Sequence, residues 1–233
     1  MVNYNTEIYI FKKKMAIHYR ANGKLMLTGE YLALHGAKTL AVPLQFGQDL
    51  YIEEVAHPLV YWRTLFKGKI IFHAVFDTKK LEILSSNDSV KAEWINRVFV
   101  ALRNQKPEFL QNTGAEVTSV IDLPMNYGWG SSSSLIVNLS KWAQADPFNV
   151  NFEIGGGSGY DIACAMADKP LIYSNNQNIP SVKLLKYDPV YKRNMWFVFQ
   201  ENKMNTADAI RYFRKQTPGK KDIQRINAIA NEW

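Results

Sequence analysis

Residues 128–139 read GWGSSSSLIVNL. Two glycines flank a tryptophan, four serines follow, and an apolar run begins at once. Glycine adopts backbone angles closed to other residues and lets a neighbouring group approach closely. Leu135, Leu139 and Trp142 stand at i, i+4 and i+7, which predicts a helix over about Ser132–Gln144. The first turn of a helix has unpaired N–H donors and the positive end of the dipole, which together hold phosphate. Serine hydroxyls at such a start cap the helix, bind phosphate oxygens or ligate Mg²⁺, and capping is the commonest of the three. The stretch alone leaves these readings open.

Upstream, EVTSVIDLPM (116–125) reads as a strand that stops at Pro124, so the order is strand, proline, Gly-rich turn, helix. Downstream, Asp146-Pro147 ends the helix, and IGGGSGYDIACAMADKP (154–170) predicts a glycine cluster opening into a short helix that carries Asp161. Earlier, MAIHYRANGK from Met15 begins a first strand. AVPLQFGQDLYIEEV (41–55) carries two short strand patterns around a Gly-containing turn, and PLVYWRTLFKGKIIFHAVF (58–76) is a hairpin turning at Lys67-Gly68-Lys69. NDSVKAEWINRVFVALRNQ (87–105) fits a helix with Asp88 as N-cap and Trp94, Ile95, Val98, Phe99 and Leu102 at helical spacing. From 181 onward, a strand at 195–199, a helix at about 206–216 and a last helix at about 222–233 suggest a second α/β unit.

Composition narrows the function classes. The chain has 233 residues, 47% of them hydrophobic, enough for one large domain or two modest ones. No window approaches 18 consecutive apolar residues, so no membrane partner is expected. In residues 1–14 the basic run follows the apolar residues, the wrong order for a secretory signal, and this segment reads as a peripheral extension. One cysteine, Cys164, cannot form an internal disulfide, and a cytoplasmic protein is expected. The four histidines fall at no metal-ligand spacing. A net charge of +7 suits an anionic small-molecule partner. Nucleic acid is set aside, because clustered basic residues interleaved with aromatics are lacking. The loop is not a Walker A motif, and HGAKT (35–39) has Ala37 where that motif needs glycine.

Two further segments bear on the loop. RANGKLMLTGEYLALHGAKTLAVPL (20–44) resembles the N-terminal signature of the GHMP kinases, the family of galactokinase, homoserine, mevalonate and phosphomevalonate kinases. PMNYGWGSSSS (124–134) resembles that family's phosphate-binding motif, and GGSGYDIACA (156–165) the segment carrying its catalytic aspartate. The three occur in the family's order. The resemblance implies an α+β, two-layer α/β kinase, with an S5-domain-2-like N-terminal (ATP-binding) domain over 15–180 and an incomplete ferredoxin-like C-terminal domain over 181–233. It implies ATP- and Mg²⁺-dependent phosphoryl transfer to a small metabolite, nearest the mevalonate and phosphomevalonate branch, with a sugar kinase as the alternative. By the same resemblance Lys24 and Asp161 are catalytic, and Gly128, Trp129, Gly130, Ser131, Ser132 and Ser133 hold the nucleotide. Ser132 and Glu153 are its candidate Mg²⁺ ligands.

The chemistry suits those residue types. A carboxylate within reach of a substrate hydroxyl accepts its proton during attack. An ammonium beside that carboxylate keeps it ionised and stabilises developing negative charge. Bland readings stand beside these. Lys24 is also readable as a surface lysine, Asp161 as a helix cap, GGGSG as a flexible linker and Cys164 as a packed core residue. Glu30 is readable as a site residue or as a structural partner of a buried N–H or lysine. Trp129, in place of the family's leucine, either stacks near the base or covers the loop. No third Gly-rich motif follows residue 181, so exposed apolar surface, poor solubility or a compensating homodimer is expected, as is a catalytically weak nucleotide-binding remnant as a rival reading.

Overall fold

The structure, a computed structural model, describes residues 17–122, 127–186, 189–198, 212–213 and 218–232. The extension over 1–14, Pro124 and most of the expected helix at 206–216 lie outside the described residues.

Period-two alternation builds the sheet. In β3 (Leu59–Phe66) Val60, Trp62 and Thr64 are buried while Tyr61 is exposed, and β4 (Lys69–Asp77) alternates likewise at Phe72, Ala74 and Phe76. The two form the expected hairpin, and its turn takes positive φ at Lys67 (46°) and Gly68 (67°), as a two-residue turn of this hand requires. With β1 (Ile17–Thr28), β2 (Thr39–Val55), β5 (Glu82–Ser86), β6 (Gly114–Ile121), β7 (Leu171–Asn176) and β8 (Ile179–Leu184) they make one eight-stranded sheet. Its order is β5-β4-β3-β6-β2-β7-β8, with β1 along the other edge of β2. Among the described strands β3 and β6 pair in parallel, and the other neighbours are antiparallel.

Helices layer against the sheet. Helix α1 (Ser89–Gln105) presents Ile95, Val98, Phe99 and Leu102 to Leu50, Ile52, Trp62, Phe76 and Val117 in the main core. Helix α2 (Ser131–Ala143) begins where the serine run predicts, and α3 (Pro147–Glu153) and α4 (Tyr160–Met166) follow. Helices α2 and α4 pack on one another and on β1. A last helix, α5 (Lys220–Asn231), lies beside β1 and β2, where its Asn227 accepts from the Lys38 N–H at 2.7 Å.

Three expectations are corrected. The 41–55 segment is not two strands around a turn but all except the first two residues of one 17-residue strand, Thr39–Val55. Gly47 is there for proximity instead: a Cβ on it would lie 2.3 Å from the Ala21 carbonyl oxygen, beside the register shift at Asn22/Gly23. Asp146-Pro147 ends one helix but also opens the next, since Asp146 accepts from the N–H groups of Phe148 and Asn149 and proline occupies the first turn of α3. Residues 195–198 form no strand; Trp196 and Val198 are exposed, with no sheet face to pack on among the described residues. Strand β8 crosses residue 181 and belongs to the main sheet.

Candidate active site

Lys24 lies in β1 between two register irregularities, at Asn22/Gly23 and Met26/Thr28. Bulges of this kind re-aim side chains. Its backbone N–H donates to the Trp129 carbonyl at 2.9 Å, which ties the strand to the loop. Its stem runs beneath Gly130, and its ammonium donates to the phenol oxygen of Tyr160 and lies 3.8 Å from Asp161 Oδ2. The two sequence segments that carry Lys24 and Asp161 are 136 residues apart at their point of contact, and the fold brings them together.

The glycine–serine loop behaves as an open helix start. Gly130, at φ 93°, is the N-cap of α2 and supplies no side-chain bond to the first-turn N–H groups. A Cβ there would stand 2.8 Å from Lys24 Cγ and 2.9 Å from Ser133 Oγ, so any other residue would have to push these side chains aside. Ser131 and Ser132 are exposed. The sequence placed Ser133 in the nucleotide site, but its side chain is buried and its hydroxyl donates to the Gly130 carbonyl at 2.9 Å. Ser134 is buried too and donates to Gln48 Oε1 at 2.9 Å; Gln48 in turn donates to Ser119 at 2.6 Å and accepts from Asn138 at its backbone carbonyl. This enclosed polar network bolts α2 to β2 and β6.

Upstream of the loop, Asp122 accepts from Arg20 at 2.8 Å and from the Gly47 N–H, while Arg20 also reaches Asp49 at 2.6 Å. The chain therefore enters the loop from a fixed point. The Trp129 ring stacks on Phe46 (5.7 Å between centroids) and meets Tyr127 (5.1 Å) and Phe197 (5.0 Å) edge-on.

The segment before Asp161 is not a flexible linker. The Ser158 carbonyl accepts from the Tyr173 hydroxyl at 2.6 Å and from Asn175 at 2.9 Å, which pins the glycines to β7. Helix α4 starts from Gly159 at φ 91°, again without a side-chain cap, and carries Asp161 in its first turn. Thus Asp161 is not the N-cap. At 3.8 Å the lysine is too far for a direct hydrogen bond, so the Asp161 oxygen is left to accept from another donor.

Glu30 joins this field. Desolvation pushes its carboxyl above the usual range, Lys24 draws it down, and Asp161 pushes it up. It sits in a turn where Tyr31 takes φ 60°, a strained angle for an aromatic residue, held by stacking on Phe213 at 5.1 Å. Burial pushes the Cys164 thiol up to about 12, and the residue is fully enclosed, which settles it as a core residue.

The donor set fits a phosphate group: open N–H groups, two exposed hydroxyls and a neighbouring ammonium. It fits Mg²⁺ less completely. Ser132 stands at the loop, but the Glu153 carboxylate accepts from Asn104 of α1 at 2.5 Å, and Glu153 is not among the described contacts of Lys24 or Asp161. Among the described residues no group of three or more His, Cys, Asp or Glu side chains is placed to hold a metal ion. Nor, among them, is any helix long and apolar enough to cross a membrane.

Tyr160 is the site residue the sequence reading missed. An aromatic residue before a helical aspartate reads as core, and its hydroxyl partner is set by tertiary contact alone.

No protein-family model matches the chain, and no curated protein sequence does. Solved structures do. The chain is similar to Methanococcus jannaschii mevalonate kinase (TM-score 0.62, 14% identity, 94% of this chain and 73% of that one). It is similar to Lactococcus lactis galactokinase complexed with galactose (0.59, 16%, 77% and 51%). It is also similar to Streptococcus pneumoniae phosphomevalonate kinase in complex with phosphomevalonate and AMPPNP (0.52, 19%, 70% and 50%). It thus spans about half the length of the latter two. These likenesses establish that the chain has the GHMP kinase fold.

Proposed function

We propose that this protein is a GHMP-type small-molecule kinase that transfers the γ-phosphoryl group of ATP to an acceptor hydroxyl. The observation that carries this reading is the meeting of Lys24 and Asp161 beside an uncapped, serine-bearing helix start. Phosphoryl transfer depends on positioning and electrostatics, and these residues supply both. ATP would supply the phosphoryl group, and Mg²⁺ neutralisation of its oxygens. The N–H groups of the first turn of α2, with Ser131 and Ser132, bind and orient phosphate oxygens. Lys24 stabilises negative charge at the transferring end, and Asp161 accepts the proton of the acceptor hydroxyl.

The acceptor we favour is mevalonate or a phosphomevalonate-like metabolite, because GKLMLTGEYLALHG is most similar to that branch; a sugar is the alternative within the same chemistry. A second reading, nucleotide binding with weak turnover, is favoured by the engagement of Glu153 with Asn104, which leaves Ser132 as the candidate Mg²⁺ ligand at the loop.

Two measurements on the full chain separate them: ADP release with Mg²⁺-ATP against mevalonate, phosphomevalonate, galactose and homoserine, and calorimetric affinity for Mg²⁺-ATP. Turnover on one acceptor is expected. Tight nucleotide binding with silence across the panel would favour the second reading, and no binding would remove both.

A further inference from the structure

The Lys24 side chain is long and has four rotatable bonds, yet it is held along its whole length. The strand fixes its base through the Trp129 carbonyl, Gly130 leaves just enough room for its stem, and the tip donates to the Tyr160 hydroxyl. The partner is itself immobile. Tyr160 is 8% exposed and packs among Ala41, Ala163, Cys164, Ala167, Leu171 and Tyr173. Burial, with the negative charges of Asp161 and Glu30, pushes its phenol far above the usual range, so it is a neutral acceptor at any working pH.

The 3.8 Å separation of Lys24 and Asp161 acquires a reason here. An ammonium and a carboxylate this close, without another partner, close to a contact pair. That pair would draw the ammonium off the phosphate loop and make the carboxylate a weaker base. Resting on the kinase reading, we propose that Tyr160 is the positioning residue of this site, its phenol oxygen holding the Lys24 ammonium between the glycine–serine loop and Asp161 and out of a contact pair.

The test is a cycle of Tyr160→Phe, Lys24→Met and the double variant on the full chain. Tyr160→Phe should lower kcat by roughly 10²-fold, the scale of a catalytic group displaced by about 1 Å, with little change in acceptor KM or thermal midpoint. Adding it to Lys24→Met should lower kcat no further, because a residue that acts through Lys24 has nothing left to position. Losses that multiply in the double variant, or wild-type kcat in Tyr160→Phe, would overturn the proposal. A ligand-free reading keeps it separate from the fate of the kinase reading. The ¹³Cζ resonance of Tyr160 in the unliganded chain should move on Lys24→Met; an unmoved resonance would overturn the proposal even if the protein proves an active kinase. A moved resonance in a chain that turns over no acceptor would leave the positioning contact and remove the kinase.

Discussion

Helices α1 and α2 begin in opposite ways. At the start of α1 the chain closes its own donors: Asp88 accepts from the Lys91 N–H at 3.0 Å and from the Lys91 ammonium at 2.7 Å. At the start of α2 stands Gly130, with no side chain to offer, and the two nearest serines point outward while the next two are turned into the core. Helices α3 and α4 repeat the contrast, one capped by Asp146 and the other opening bare from Gly159. A capped start is finished structure. The two helices with bare starts pack on one another, and Lys24 runs from Gly130 of one to within 3.8 Å of Asp161 in the first turn of the other.

The sharpest way to break the comparison is at the chemistry. Asp161→Asn, on a bare start, should lower turnover by roughly 10²–10⁴-fold, the scale of general-base catalysis, while thermal stability holds. Near-normal turnover would remove Asp161 from the role.

Next come the loop glycines. Gly130→Ala meets both a left-handed backbone angle, costing about 1–2 kcal/mol, and the Lys24 stem; calorimetry should show Mg²⁺-ATP affinity falling about tenfold or more. Gly128→Ala has φ 71° but open space around its Cβ, so it should lose less and leave Lys24 in place. Equal losses would mean that strain alone governs the loop.

The capped starts should respond in stability only. Asp146→Ala should cost about 1 kcal/mol of unfolding free energy, the usual worth of an N-cap, and leave nucleotide affinity unchanged.

The smallest effect concerns Glu30. Its carboxyl is raised in the folded chain, so its contribution to stability is complete below its unfolded value near 4.5 and declines as pH rises through the folded value. Glu30→Gln should therefore raise the thermal midpoint at neutral pH, with the gain vanishing below about pH 4. A gain that persists in acid would trace to packing instead of charge.

The parts of the fold that were legible share one property: their cause is local. The Lys67-Gly68 turn, the Asp88 cap and the stripe Ile95, Val98, Phe99, Leu102 each depend on residues within a few positions of one another. Gly47 misled because a glycine required by a distant backbone looks the same in sequence as one required by a turn. The expected strand at 195–199 failed at 195–198 for a related reason, since an apolar run becomes a strand only where a sheet edge receives it.

The site divides along the same line. By itself the sequence determined the glycine-led start of α2 and the serines that follow it, because these are residue types at a fixed spacing, while Lys24 and Asp161 stood out through their resemblance to a family's motifs. Tertiary structure alone decided which serines face outward, that Glu153 is taken by Asn104, that Trp129 is sheathed by Phe46, Tyr127 and Phe197, and that Tyr160 holds Lys24. Those outcomes depend on side chains far apart in the chain meeting at hydrogen-bond distance, and no periodicity records such a meeting.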